Sequence, residues 1–386
     1  MRKSTAWIMA TAGGIVVANN YYNQPLLPDF AATFHVAQAH AGIVAILTQA
    51  GYALGMLLLL PLGDMMPRRR LISIMLGLAT LSLASLAMSP SLAWLAASGF
   101  AVGFTSIVPQ IMTPFAAQLA PPEQRGSVVG LVMGGLLCGI LLSRTVSGLV
   151  GAYLGWRAMY WMAAGFMIIL MIVLAARLPH DEPVFSGRYP QLMRSLWSLI
   201  REQPVLRQTS LIAALQFGAF SAFWTTLAFH LYDLPGHYGS ATAGSFGLAG
   251  VVGVLAAPRV GKLADRRSPE LAVLLSSIVL VVAYLIFAAL GTSLAGLAVG
   301  VVLLDLGMQS GHVSNMTLNF SLKASAMSRL NTIYMVARFF GGAVGSTLGN
   351  YAWSLWRWPG VCAVGVALCL AAIAVQLRKR SSVAAG

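Results

Sequence analysis

One carboxylate in this sequence stands apart from the rest. Nine of the ten acidic residues fall in polar segments or near the ends of apolar runs, whereas Asp305 lies inside an apolar run that opens at residue 294. At 1.5 Å per helical residue it is roughly 16 Å deep in that run. Gln309, His312 and Met316 follow at i+4, i+7 and i+11, which puts a polar stripe on one helix face, with Asn315 at its margin. An ionisable group at such a depth costs about 2.5–3.5 kcal/mol to insert in lipid, so it faces a cavity or a partner. Asp305 is therefore a candidate proton carrier, the alternative being a structural ion pair.

Two basic residues also fall inside apolar runs, Arg144 and Arg338. Arg144 can pair with Asp305, hold an anionic group, or snorkel to the nearer surface. Arg338 has the same choice between the site and the surface. Asn19, Asn20, Asn23 and Gln24 form two i,i+4 amide pairs near one end of the first run. Such a density of amides in lipid is expensive unless they meet water, a solute or another helix. Gln216, Phe220 and Trp224 share a face at i, i+4, i+8, suited to stacking on a ring or to packing. Ser106, Gln110 and Thr113 form a further polar face.

These residues need helices in a bilayer to position them. Of the 386 residues, 58% are hydrophobic and 9% charged, against about 25% charged in a soluble domain. Continuous apolar runs of about 20 residues recur, each long enough to cross the hydrocarbon. Their lack of alternation excludes a transmembrane barrel. The fold class is all-α membrane protein. Twelve spans are expected, at about 6–27, 40–61, 70–89, 92–118, 127–150, 158–177, 207–232, 240–258, 271–290, 294–320, 329–351 and 358–377. The N-terminal Met1, Arg2 and Lys3 ahead of an apolar run resemble a signal peptide. The run continues into Asn19–Gln24 without a small-residue cleavage site, so it reads as a retained first span.

The polar segment 178–206 divides the chain into 1–177 and 207–386, each with six spans. Leu192, Leu196, Leu199 and Ile200 recur within it at helical spacing, which predicts a surface helix. The net charge of +14 invites a nucleic-acid reading, but the charges sit in short loops. Counted over alternating loops, twenty Lys and Arg fall on the side of the termini and two, Arg157 and Arg357, on the other. That asymmetry places both termini in the cytoplasm of a cytoplasmic-type (bacterial inner) membrane and excludes nucleic acid as the partner. Cys138, Cys362 and Cys369 lie in apolar runs without metal-ligand or disulfide spacing. No cofactor is expected.

The halves repeat. Asp64 and Asp265, each next to a basic cluster, are 201 residues apart, and Trp156-Arg157 recurs as Trp356-Arg357 after 200. Arg125 and Arg329 open the corresponding spans five and eleven. Parallel repeats of this kind bind solute near the midplane between the halves.

The loops after spans two and eight carry a resemblance. Gly261, Asp265 and Arg266, followed by Arg267 and Ser268, are similar to the loop motif of the major facilitator superfamily, with Ser268 in place of its second glycine. The other copy keeps Asp64, Arg68 and Arg69 but loses both glycines. The resemblance extends over all twelve spans. It implies two pseudo-symmetric six-helix bundles, alternating access, and gating by Asp64 and Asp265 where carboxylates meet helix N-termini or arginines. Tyr22, Asn23, Gln24, Pro25 and Pro28 resemble the drug:proton antiporter branch that includes nucleoside and sugar efflux pumps. Two features depart from that branch: span four has Gly99 where its arginine often stands, and span five has Arg144 where its motif has proline.

The expectation is a secondary transporter, a monomer in membrane lipid, exporting a small polar or amphipathic solute coupled to protons. An uptake symporter or facilitator on the same fold is the alternative. No phosphate-binding loop, HExxH or nucleophile elbow supports ATP use or an intramembrane enzyme.

Overall fold

The computed structural model describes residues 3–121, 124–179, 181–182, 187–250, 268–320, 322 and 327–384. The expectations at Gly261, Asp265 and Arg266 lie outside the described residues.

The chain is a bundle of membrane-length helices. The first crossing is not one helix but two, α1 (Lys3–Ala18) and α2 (Asn23–Phe34), separated by a turn over 19–22. Pro25 in the first turn of α2 has no N–H to return to residue 21, so the ladder breaks there. The turn presents the Asn19–Tyr22 backbone and side chains in mid-membrane. α2 then runs past the expected end at residue 27 and stops at His35, whose left-handed φ of 52° closes it. The second crossing is a short helix α3 (Gln38–Ala41), then α4 (Ile43–Leu59) and α5 (Leu62–Met65). α6 (Arg68–Ala87) is the third. The fourth also breaks, into α7 (Leu92–Thr105) and α8 (Val108–Leu119), with Pro109 in the first turn of α8. α9 (Arg125–Leu154) and α10 (Trp156–Arg177) complete the first half. The expected surface helix is α11 (Tyr189–Glu202), with Leu192, Leu196 and Leu199 buried.

α12 (Pro204–Asp233) opens the second half and is buried on nearly every face. A helix over 240–250, α13, follows. α14 (Pro269–Leu290) starts where the Ser268 hydroxyl accepts the Leu271 N–H at 3.1 Å, with Pro269 in its first turn. α15 (Leu294–Phe320) carries Asp305. The expected spans eleven and twelve form one helical run, α16 (Met327–Ala384), interrupted at Arg357 with φ 51° and ψ −145°. Pro359 enforces that break, because the turn before a proline loses its helical bond.

The repeat read from loop spacing is built into the packing. α1 packs on α9 in the first half as α12 packs on α16 in the second. Both contacts use bare backbone. A Cβ at Gly139 would sit 2.1 Å from the Gly14 carbonyl, and one at Gly345 would sit 2.0 Å from that of Gly218. Small residues here let paired helices touch. The halves meet where α4 packs on α16 and α2 on α12. Large apolar side chains such as Trp7, Leu81, Ile172, Phe340 and Leu370 point outward, as a lipid-facing surface requires.

Candidate functional site

Three ionisable side chains are buried where the halves meet. Arg144 on α9 is 0% exposed, Asp305 on α15 is 1% and Arg338 on α16 is 6%. Neither arginine snorkels. The broken first crossing brings the Gln24 side chain to Arg144, whose Nε donates to Gln24 Oε1 at 2.7 Å. Aromatic faces cover the same guanidinium, with the Trp224 ring at 3.8 Å, Tyr21 at 5.0 Å and Phe220 at 5.7 Å. Its Nη1 and Nη2 have no hydrogen-bond partner among the described residues.

Asp305 does not form a direct ion pair with Arg144, although each feels the other's charge. Its Oδ2 is buried without a partner. α13 passes so close that a Cβ on Gly250 would lie 2.6 Å from that oxygen. α13 also threads along α9, where the Thr145 hydroxyl donates to the Gly244 carbonyl at 2.9 Å. Arg338 stacks on Phe217 at 4.4 Å, and its Nη1 is unpartnered. Phe217 and Phe220 stack on each other at 5.5 Å, so one ring pair joins the two arginines. Tyr21, in the turn of the first crossing, feels the charges of Arg144, Arg338 and Asp305 together.

The stripe after Asp305 divides. Gln309 is half-buried, with no side-chain hydrogen bond. His312 stacks on Tyr334, and its Nδ1 is 3.0 Å from the Tyr334 hydroxyl, which also meets Arg338. Asn315 is fully buried with both amide atoms unpartnered.

Other residues singled out from the sequence tie helices together. Gln216 donates to Ser276 at 3.0 Å and Ser277 at 2.9 Å, inside the second half. Asn23 donates to Thr48 at 3.1 Å and Asn19 to Ser106 at 3.2 Å, inside the first. Asn20 turns back on its own helix, to the Val17 carbonyl. Gln110 bonds to the Tyr52 hydroxyl, and the Tyr52 ring meets Phe339 of the other half edge-on at 4.6 Å.

A polar knot crosses between the halves. Gln49 on α4 donates to Ser346 at 3.2 Å and accepts from Ser221 at 3.1 Å, while Thr225 and Ser346 share a bond of 2.8 Å. Towards the face remote from the termini, Asn350 donates to the Ala39 carbonyl at 2.6 Å and Gln38 to Asp233 at 3.3 Å. That face is closed. On the terminal side, Asp64 pairs with Arg68 at 3.3 Å within its own loop. The carboxylate at a helix N-terminus is instead Asp181, which accepts the Arg68 and Arg69 N–H groups at 3.0 and 3.4 Å. Arg69 reaches the Leu178 and Ala175 carbonyls, so α6 is pinned to the end of α10.

The family model described as Major Facilitator Superfamily matches residues 9–346. The chain belongs to the major facilitator superfamily. It is similar to YgaY of Escherichia coli K12, named a transporter, at 39% identity over 371 residues, covering 96% of this chain and 94% of the relative. It is similar at 34% to SCO4007 of Streptomyces coelicolor, also named a transporter, over 92% of this chain and 83% of that one. Among solved structures, the nucleoside transporter NupG superposes with a TM-score of 0.76 at 12% identity, over 97% of this chain and all (100%) of that one. The chain is thus a membrane transporter of small solutes and not an enzyme.

Within this major facilitator fold, sequence reasoning reached Arg144, Asp305, Arg338, Gln24 and Trp224, which the structure brings together. It missed Tyr21, Gln49, Tyr334 and Asp181. A tyrosine beside four amides in the first span was the available signal for Tyr21. Gln49, a lone amide in a long apolar run, carried the same kind of signal.

Proposed function

We propose that this chain is a proton-coupled secondary active transporter that works by alternating access around Arg144, Asp305 and Arg338. The observation that carries the proposal is their joint burial, with partnerless polar atoms, at the contact between the halves. Buried polar atoms in a native protein find a partner, and here the partners left to supply are water, a proton and solute. Asp305 is the proton carrier in this reading, and Trp224, Phe220 and Tyr21 line the solute. Gln309, His312 and Asn315 continue the site along α15. The division at 178–206, a monomeric state, both termini in the cytoplasm and a bacterial cytoplasmic membrane belong to the same reading. So does gating by the Asp64 and Asp265 loops.

The likeness of Tyr22–Pro28 to the efflux branch supports export. The balance of two arginines to one acid supports a second reading, uptake of an anion together with a proton. A thermal-stability screen of purified protein against a solute library finds ligands, because a ligand of the native state raises apparent stability. Each hit is then followed in proteoliposomes under an imposed pH gradient. Uphill movement of a hit driven by that gradient supports proton coupling. Equilibration at a rate indifferent to the gradient would leave a facilitator.

A further inference from the structure

We infer that the centre between the halves takes a solute carrying one negative charge, a carboxylate or a group of like shape, attached to an aromatic ring. The inference rests on the transporter reading above and adds the chemistry of the solute. It comes from an imbalance of donors over acceptors. Arg144 Nη1 and Nη2, Arg338 Nη1 and Trp224 Nε1 are four buried donor atoms without a partner. The charged acceptor near them is Asp305, with Oδ2 unpartnered. Asn20 Oδ1 is also unpartnered but carries no charge.

The geometry of Arg144 selects the shape of the missing acceptor. Gln24 occupies Nε, which leaves the two terminal nitrogens as a free fork. That edge of a guanidinium matches a carboxylate bidentately. Its faces are taken by Trp224 and Tyr21, so a ligand must approach the edge. Beside the fork, the stacked Phe217 and Phe220 lead on to Arg338 and offer a wall for a ring. Charge sets the number. With Asp305 ionised and His312 held neutral against Tyr334, two arginines leave one uncompensated positive charge, and a net charge in mid-membrane is expensive. One anion removes it. A cationic solute would add to it.

The test is binding to the full-length purified protein, read by tryptophan fluorescence and by apparent Tm. The probes are benzoate, 4-hydroxybenzoate, indole-3-acetate and 2-naphthoate, each against its neutral amide, with benzylamine as a cation and sulfate as an anion without a ring. At least one carboxylate should bind saturably and about tenfold or more tighter than its amide, with no response to benzylamine. Arg144→Gln should lose that preference and Arg144→Lys should keep part of it. Asp305→Asn should bind the carboxylate more tightly, because a competing anion is gone, which a merely structural role would not produce. Equal binding of acid and amide, binding of benzylamine, or no response to any of the carboxylates would overturn the inference. No gradient is involved, so failure of proton coupling in liposomes leaves this result standing, and the reverse also holds.

Discussion

The Arg144 guanidinium lies 3.8 Å over the Trp224 ring and is not in a direct ion pair with Asp305. The charge is held by an aromatic face and by Gln24, with its carboxylate neighbour kept at a distance. A double-mutant cycle on apparent stability, using Arg144→Met and Trp224→Leu, should give a coupling of about 0.5–2 kcal/mol. The corresponding cycle with Asp305→Asn should give a smaller one. A larger coupling to Asp305 would mean that the resting protein holds a salt bridge there.

Gln49 joins α4 to Ser221 and Ser346 across the halves, and Gly342 makes room for it. A Cβ at Gly342 would fall 2.3 Å from Gln49 Oε1. Gly342→Ala should therefore loosen the closed face, by about a tenfold shift in population for each 1.4 kcal/mol of closure lost. A cysteine placed at the fully buried Ala41, in a background without Cys138, Cys362 and Cys369, reads this as faster labelling by a water-soluble maleimide. Unchanged labelling would show that the knot does not hold that face shut.

Bare backbone contacts should be intolerant of a methyl group. Gly345→Ala drives a Cβ towards the Gly218 carbonyl and should cost about 1–3 kcal/mol. Gly165 has nothing within 4 Å of its absent Cβ, so Gly165→Ala is the neutral control. Apparent Tm measured in the same detergent separates the two.

Asp181 caps α6 through the Arg68 and Arg69 N–H groups. Asp181→Ala should lower stability by about 0.5–2 kcal/mol, the usual cost of losing a cap acceptor. Asp64→Ala removes only a pair with Arg68 in its own loop and should cost less, about 0–1 kcal/mol.

The helices were legible because each apolar run is long and its flanking charge is one-sided. The breaks were less so. Pro25 and Pro109 were visible as residues, but a proline in a crossing can bend a helix or split it, and the choice depends on what packs against the gap. Here that is Asn19 against Ser106, a contact between two broken crossings. At the site, depth in the run singled out Asp305, Arg144 and Arg338, because a buried charge is costly wherever it stands. Gln216 and Asn23 carried the same polar signal, yet the helix face they occupy turns them towards Ser276 and Thr48. Face is set by neighbours distant in sequence, which no local spacing reports. Asp181 looked like part of a solvated linker and became a cap only when α10 ended beside α6.

The most direct measurement is proton movement in proteoliposomes loaded with a pH-sensitive dye, started by adding a solute that the stability screen identifies. The wild-type protein should move protons with the solute, and Asp305→Asn should still bind the solute but lose the proton signal. Undiminished proton movement in Asp305→Asn would contradict the account.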